Sequence, residues 1–357
     1  MDFNLDETNQ AVFDLAVQIL TDRVDMERLM AVEASDEWFD RDTYAELAKA
    51  GLVGIALGED VGGGGLGLIA VAQVLRAQGM TVAPMPLLPT LTASLAIDRF
   101  GSEELRQSLL PGVADGSTVL TVAVQEFMDD QLASPGATVD NGALTGSKAV
   151  VEFATQASHA VVTATGPEGP GLYVVDLAAD GVSMAVATST RLEPVHEVSF
   201  DAVAAERLGG ATAQWLLDHL TVAICQTQLG VTEQALKITA AYTSEREQFG
   251  KPIATFQAVT QRLADQFINV EGIRLCSIAA MWRLSEGLDA SEDLAIAKWY
   301  ASERATEVAH ATQHCHGGMG VSVDYPLHRY TLWNKHLTTS LGAGTQQLRS
   351  LGALMAD

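Results

Sequence analysis

The sequence is poor in cysteine, in basic side chains and in long apolar runs. Its three cysteines are unevenly spaced, which does not suit a disulfide framework and fits a reducing compartment. No apolar run reaches the roughly 20 residues that a membrane-spanning helix needs. The acidic residues Asp6 and Glu7 stand where a signal peptide would carry basic ones. We therefore expect a cytoplasmic protein with no membrane partner.

Basic residues are outnumbered by acidic ones, 21 to 45, so the formal net charge is −24. Nucleic acids and anionic membrane surfaces bind basic patches, and this balance excludes both as expected partners. Apolar residues make up 48% of the chain and charged residues only 18%. That composition indicates a large core or a large subunit interface, and 357 residues are enough for two or three domains.

The periodicity of apolar residues changes twice along the chain. The first third is helical, and Asp6 or Thr8 can cap its first helix; further helices are expected at about 42–51, 67–79, 87–99 and 103–110. Short Val- and Thr-rich segments then predict an antiparallel β domain, with strands at 118–124, 159–165, 171–176 and 195–200. Long helical patterns follow and predict a bundle of four helices, at 211–245, 254–286, 290–315 and 325–356. The fold class is therefore α+β, with domains at 1–117, 118–208 and 209–357.

Two motifs resemble a dinucleotide-binding site and a metal site, but neither meets the requirements of such a site. Gly62–Gly67 contains G-x-G-x-x-G, but no acidic residue lies about 20 positions on, as a dinucleotide site requires; we interpret it as a loop. His314-Cys315-His316 invites a metal interpretation, yet structural zinc needs four ligands and no second Cys/His cluster exists. We predict no metal site.

The most specific motif is Arg246–Gln257, REQFGKPIATFQ. A guanidinium can bind a pyrophosphate bidentately. With the order helical, β, helical bundle, the motif resembles the acyl-CoA dehydrogenase family, and the resemblance covers the whole chain. It implies FAD whose ADP half is held here while the flavin is bound mainly to a neighbouring subunit. It also implies that Arg246 and Gln248 contact the pyrophosphate. The adenosine end would be lined by Phe249, Phe256 and Gln257.

A second stretch resembles the family's glutamine followed by Gly-Gly-x-Gly, where the main chain approaches the ADP portion of the flavin. Here Gly317 and Gly318 supply the glycines, and His314 takes the place of the glutamine. An imidazole can still donate one hydrogen bond. The resemblance therefore adds these three residues to the expected cofactor contacts.

The flavin-ring residues of the family are missing. Its Thr-Glu-x-x-Gly-Ser-Asp-like loop corresponds to Val124–Asp130, which contains no Gly-Ser. Its Gly-x-Lys-x-Trp-Ile-Thr-Asn segment corresponds to Gly146–Phe153, with Val150 for the tryptophan and Glu152 for the threonine. A carboxylate at that place would repel the reduced, anionic flavin.

The catalytic base of the family is missing too. Many members place a glutamate before a C-terminal Gly-Thr, and Ala343 occupies that position here. Others place it on the helix before the motif arginine, where this chain has Leu220. Asp218 lies two residues from Leu220, about 200° around a helix, and should face elsewhere.

These features predict a non-catalytic subunit of an α2β2-type acyl-CoA dehydrogenase that shares FAD with a catalytic partner. The degenerate sites resemble those of subunits that act in steroid (cholesterol) side-chain β-oxidation. The partner would bind most of the acyl-CoA, and an electron-transfer flavoprotein or similar acceptor would take the electrons. Two alternatives remain: an active homo-oligomer whose base is Asp218 or Glu152, and a non-enzymatic scaffold on the same fold. A scaffold has no reason to retain Arg246–Gln257.

Overall fold

The computed structural model describes residues 3–356 and begins with a helical region. Its six helices are α1 (Glu7–Arg23), α2 (Met26–Glu33), α3 (Arg41–Lys49), α4 (Gly67–Thr81), α5 (Leu87–Phe100) and α6 (Glu103–Ala114). Of the two expected caps, Asp6 caps α1, because its carboxylate accepts the backbone N–H of Asn9 at 2.7 Å. The sequence patterns missed α2, which has only eight residues.

The middle of the chain forms an eight-stranded sheet. Its strands are β1 (Leu120–Ala123), β2 (Thr138–Asp140), β3 (Ala143–Glu152), β4 (His159–Gly166), β5 (Gly169–Asp176), β6 (Val182–Thr188), β7 (Pro194–Ala204) and β8 (Glu206–Arg207). The path runs β6-β7-β3-β2-β4-β5-β8, with β1 paired to β4. The other strand pairs of this sheet are antiparallel, as expected, but β1 and β2 both pair with β4 in parallel.

The last part is helical again. It contains α7 (Ala213–Glu245), a small hairpin of β9 (Glu247–Gln248) and β10 (Lys251–Pro252), α8 (Gln257–Ser285), α9 (Ser291–His316), α10 (Leu327–Thr339) and α11 (Gly344–Leu354). The single helix expected at 325–356 was wrong. The chain breaks at Leu341 and Gly342, whose φ angles of 53° and 92° lie outside the helical region.

The fold class is thus confirmed as α+β, with a helical N-terminal region, a sheet and a C-terminal helical region. The division into three domains at the stated boundaries stays a prediction. By contacts the chain forms two compact units; one comprises the described residues up to Arg28, Ala72–Ala83 and everything from Ile224, and the other comprises Leu29–Val71 and Pro84–Ala223. Among residues 3–356, no helix is both long and apolar enough to cross a bilayer.

Close backbone approach holds the first unit together. A Cβ on Gly79 would lie 2.0 Å from the carbonyl oxygen of Thr227, and a Cβ on Gly230 would lie equally near that of Arg76. The guanidinium of Arg76 binds Glu233 through two hydrogen bonds, of 2.6 and 2.8 Å. Glycines therefore set the packing distance around α7, the helix that leads into Arg246.

Candidate functional site

The motif that begins at Arg246 forms a tight β-hairpin directly after α7. The N–H of Arg246 donates to the carbonyl of Tyr242, and its own carbonyl accepts from Ile253, both at 2.8 Å. Strands β9 and β10 pair antiparallel, and Phe249 and Gly250 form the two-residue turn between them. Their φ values are 54° and 77°, as a type I′ turn requires at both positions. Glycine adopts this conformation without strain, whereas phenylalanine does not.

Phe249, at the turn of the hairpin, stands at the surface, and Phe256, just before α8, is half-buried. Phe249 is 93% exposed, and its ring touches that of Phe256 edge-on, at 6.2 Å between centroids. The ammonium of Lys251 lies 4.5 Å from the Phe256 ring centroid. A strained, fully exposed aromatic side chain at a turn is a feature that function, rather than the stability of this chain, explains.

The polar residues of the motif are available to a ligand. Arg246 is exposed, and within residues 3–356 its guanidinium makes no ion pair and no side-chain hydrogen bond. Gln248 is exposed, and its side-chain amide donates a local hydrogen bond to the carbonyl of Glu247. Gln257 is the exposed first residue of α8. An exposed arginine whose side chain has no partner among residues 3–356, in one motif with two exposed amides, fits a pyrophosphate well.

The glycine turn lies at the end of α9. Gly317 has a φ of 59°, and a Cβ built on Gly317 or on Gly318 would meet no atom within 4 Å. Both residues and His314 are exposed. The main chain is therefore open for a ligand to approach closely, which is what a phosphate or ribose contact needs. Among residues 3–356 no group of three or more His, Cys, Asp or Glu side chains could hold a metal ion.

The structure joins the hairpin and the glycine turn through residues that the sequence analysis missed. The ring of Tyr242, in the last turn of α7, stacks on that of His316 with centroids 4.2 Å apart. The Tyr325 hydroxyl lies 3.1 Å from Nε2 of His316. The signal was present in His316, which the sequence analysis considered only as part of a possible metal motif. Both cofactor motifs thus belong to one part of the molecule.

The loop after β1 keeps its frame without the residues that would hold a flavin ring. The Glu126 carboxylate accepts from Nζ of the fully buried Lys148 at 2.6 Å and from the N–H groups of Gly136 and Ala137. Burial alone would raise the pKa of Glu126, but these donors outweigh it and lower the pKa. The loop tip exposes apolar Phe127 and Met128, at 79% and 91%.

Of the two residues at the ring positions, Val150 is exposed and Glu152 is bound by the chain's own side chains. Val150 is 46% exposed and has a φ of 54° at an irregularity in β3. The Glu152 carboxylate lies 3.0 Å from Nη2 of Arg191, which also binds Glu193 at 2.6 Å. Burial raises the pKa of Glu193 to about 7, with Arg191 opposing the shift. Glu152 is thus held in a cluster of charged side chains.

Neither of the two positions where the family places its catalytic glutamate holds a carboxylate in this chain. Leu220 is buried at 2% exposure, and the exposed Ala343 precedes α11. The half-buried Asp218 accepts a hydrogen bond from Gln214, at 2.7 Å. A base must reach the proton that it removes, and no carboxylate of this chain stands at either position.

Comparison with protein families identifies two matching regions. Residues 6–117 match the family model described as acyl-CoA dehydrogenase, N-terminal domain. Residues 208–355 match that of the acyl-CoA dehydrogenase C-terminal domain. The second match contains both the hairpin and the glycine turn.

Similar proteins align over nearly the whole chain. Acyl-CoA dehydrogenase FadE27 of Mycobacterium tuberculosis is 35% identical over 100% of this chain and 99% of its own length. Among solved structures, the Tcur3481-Tcur3483 steroid ACAD G363A variant is 47% identical, covers 98% of both chains and has a TM-score of 0.95. The ChsE4-ChsE5 complex from Mycobacterium tuberculosis is 35% identical with a TM-score of 0.94, over 100% of this chain and 99% of the other.

Proposed function

This chain belongs to the acyl-CoA dehydrogenase family, and we propose that it is the non-catalytic subunit of a heteromeric, α2β2-type enzyme of that family. The enzyme would form the α,β-double bond of an acyl-CoA thioester. The partner subunit would supply the base and the flavin-ring site, and this chain would hold the ADP end of the FAD in trans. One observation carries the proposal: the ADP-end residues are exposed, apart from the half-buried Phe256, while the ring and base positions hold Val150, Glu152, Leu220 and Ala343.

The residues at the ADP end fit that part of the cofactor. Arg246 would pair with the pyrophosphate, with Gln248 as a second donor. Phe249, Phe256 and Gln257 would cover the adenosine, and His314, Gly317 and Gly318 would let the main chain approach. When bound, FAD accepts the electrons that leave the acyl chain. This chain would contribute binding and orientation to the reaction, since the two positions expected for a base hold Leu220 and Ala343.

The exposed hairpin also explains why this chain would need a partner. Phe249 is nearly fully exposed in a strained conformation, so its surroundings would be completed by flavin on another subunit. Two of the most similar solved structures are described as a steroid ACAD and as a ChsE4-ChsE5 complex. By that similarity we assign the substrate to steroid (cholesterol) side-chain acyl-CoA thioesters. The acceptor that the family resemblance implies is an electron-transfer flavoprotein or a similar protein.

The observed contacts disfavour an active homo-oligomer. Glu152 is bound by the nearly buried Arg191, and Asp218 is paired with Gln214 on its own helix. Either carboxylate would have to leave its partner before it could act as a base. The scaffold alternative gives no reason for the exposed Arg246 and Phe249.

Flavin stoichiometry tests the proposal. The chain is expressed alone and together with the acyl-CoA dehydrogenase subunit with which it assembles, and flavin absorbance is measured against protein. We expect little FAD and no dehydrogenase turnover from the chain alone, and one flavin per heterodimer in the complex. A yellow, active homo-oligomer, or two flavins per heterodimer, would refute the proposal.

A further inference from the structure

The cluster of Tyr242, His316 and Tyr325 joins two segments that are far apart in sequence. We propose that these three rings are positioning residues that fix the hairpin and the glycine turn relative to each other, so that both contact one FAD. The inference rests on the proposed function, since it concerns the same cofactor end. None of the three residues is itself assigned a contact with FAD.

The contacts within the cluster are close and mutual. The rings of Tyr242 and His316 stack with an interplanar angle of 21° and centroids 4.2 Å apart. The Tyr325 ring lies against both, with its centroid 5.2 Å from that of His316 and 6.3 Å from that of Tyr242. Each ring therefore restricts the other two.

Hydrogen bonds fix the orientation of the imidazole. Nδ1 of His316 lies 2.8 Å from the carbonyl oxygen of Thr312, and only a nitrogen that carries a hydrogen can bond to a carbonyl. In the neutral ring Nε2 is then the acceptor, and it receives the Tyr325 hydroxyl at 3.1 Å. Burial lowers the pKa of His316, which favours this neutral form. The ring cannot flip without losing both bonds.

Each end of the cluster leads directly to a proposed cofactor contact. The carbonyl of Tyr242 accepts the N–H of Arg246 at 2.8 Å, so Tyr242 fixes the point where the hairpin leaves α7. His316 is the residue before Gly317 and the last residue of α9. A bidentate guanidinium contact tolerates little displacement. A change in the cluster would therefore move Arg246 relative to the Gly317-Gly318 backbone.

A purely structural role of the cluster would change the stability of the chain but not its FAD affinity. Tyr330 provides a control that distinguishes this role from a positioning role. Its hydroxyl donates to the carbonyl of Met80 at 2.8 Å within the same compact unit. Tyr325→Phe and Tyr330→Phe each remove one tyrosine hydroxyl and its hydrogen bond. Both should reduce stability, but only the first concerns the segments that would hold FAD.

The experiment measures FAD affinity of the complex by flavin fluorescence and, separately, urea unfolding of this chain alone. We expect Tyr325→Phe to raise the FAD dissociation constant about 2- to 12-fold, the equivalent of one neutral hydrogen bond. Tyr330→Phe should leave it within about twofold of the parent, although it destabilises the chain at least as much. His316→Phe keeps the stacked ring but removes the acceptor, so adding Tyr325→Phe to it should change affinity no further.

The inference is overturned if Tyr325→Phe lowers stability but leaves FAD affinity unchanged. It is also overturned if Tyr330→Phe weakens FAD as much as Tyr325→Phe does. Arg246→Ala, measured in the same series, separates this from the proposed function. If Arg246→Ala loses FAD while Tyr325→Phe does not, only the positioning role fails; if Arg246→Ala keeps FAD, the proposed function itself fails.

Discussion

The Glu152 carboxylate lies 3.0 Å from the guanidinium of Arg191, a side chain that is only 4% exposed. Glu193, at 3% exposure, binds the same guanidinium at 2.6 Å. One buried cation therefore serves two carboxylates at the end of β3, where the family resemblance places a neutral hydroxyl. This arrangement explains how the chain tolerates a carboxylate at position 152. It also makes the folding stability of this end of β3 dependent on Arg191.

Removing Arg191 should therefore destabilise the chain strongly. Arg191→Met leaves two carboxylates together without their cation, and the free energy of unfolding should fall by about 3–5 kcal/mol. Urea unfolding of the chain alone measures it. The matched control is Arg41→Met, since Arg41 pairs with Glu37 where both side chains are more than half exposed. This substitution should lower the free energy of unfolding by less than about 1 kcal/mol. Equal losses in the two variants would contradict the prediction.

Substitution of Arg246 should weaken FAD binding by the complex. Arg246→Ala removes a charge-assisted hydrogen bond, worth on the order of 1.5–3 kcal/mol, so affinity should fall roughly 10- to 150-fold. Assembly should weaken too, because flavin bound across the interface stabilises it. Arg246→Lys should recover only part of the loss, since it lacks the planar fork. Dialysis followed by a flavin spectrum provides the measurement.

Arg262→Ala is the control for this experiment. Arg262 is also an exposed arginine, but it lies on α8 beyond the hairpin, and its removal should matter less. A complex with Arg246→Ala that retains its flavin as the parent does would show that this chain does not hold the cofactor.

Phe249 should lower the stability of the isolated chain and strengthen FAD binding by the complex. Asparagine tolerates positive φ better than phenylalanine does, so Phe249→Asn should stabilise the chain alone by up to about 1 kcal/mol. In the complex, loss of the aromatic side chain should weaken FAD about 3- to 10-fold. The two effects are measured by urea unfolding and by flavin fluorescence.

Met128→Asn is the matched control, because Met128 is 91% exposed with a φ of 60°. It lies in the loop that lacks ring contacts, so it should stabilise the chain similarly and leave FAD affinity unchanged. Loss of FAD from this variant would mean that the loop does hold flavin.

His219 should make stability depend on pH between about 4 and 6.5. Burial lowers its pKa to about 4, and its ring stacks on Trp215 at 3.7 Å. The unfolded chain binds the proton first as pH falls, so stability is full above pH 6.5 and is lost toward pH 4, by up to roughly 3 kcal/mol. His219→Gln should flatten the curve of unfolding free energy against pH in that window.

His310→Gln is the corresponding control, because His310 is exposed rather than buried. Its curve should run parallel to that of the parent. If His219→Gln also runs parallel, buried His219 does not contribute the expected pH dependence.

Local sequence determined much of the fold. The expected helices at 67–79 and 87–99 correspond to α4 and α5, and the long helices at 211–245 and 290–315 correspond to α7 and α9. Their apolar periodicity extends over several turns, so local pattern and tertiary packing agree. The motif at Arg246 was likewise recognisable, because the order of its residues resembles that of the family.

Elements that depend on neighbours were not determined in that way. The break at Leu341 and Gly342 interrupts a helical pattern, and the parallel pairing of β1 and β2 with β4 depends on which strands meet. The sequence of one strand does not determine whether its neighbour in the sheet runs parallel or antiparallel to it. The expected sheet therefore had the right location, and its antiparallel pairing holds except where β1 and β2 meet β4.

For the site, the sequence determined which chemical groups are present and which are missing. It identified Arg246 and Gly317-Gly318 as candidates, and Val150, Glu152, Leu220 and Ala343 as substitutions. Only the tertiary structure decided that Glu152 binds Arg191 and that Tyr242 stacks on His316. Both contacts join residues far apart along the chain, and such contacts arise only when packing brings side chains together and removes them from water.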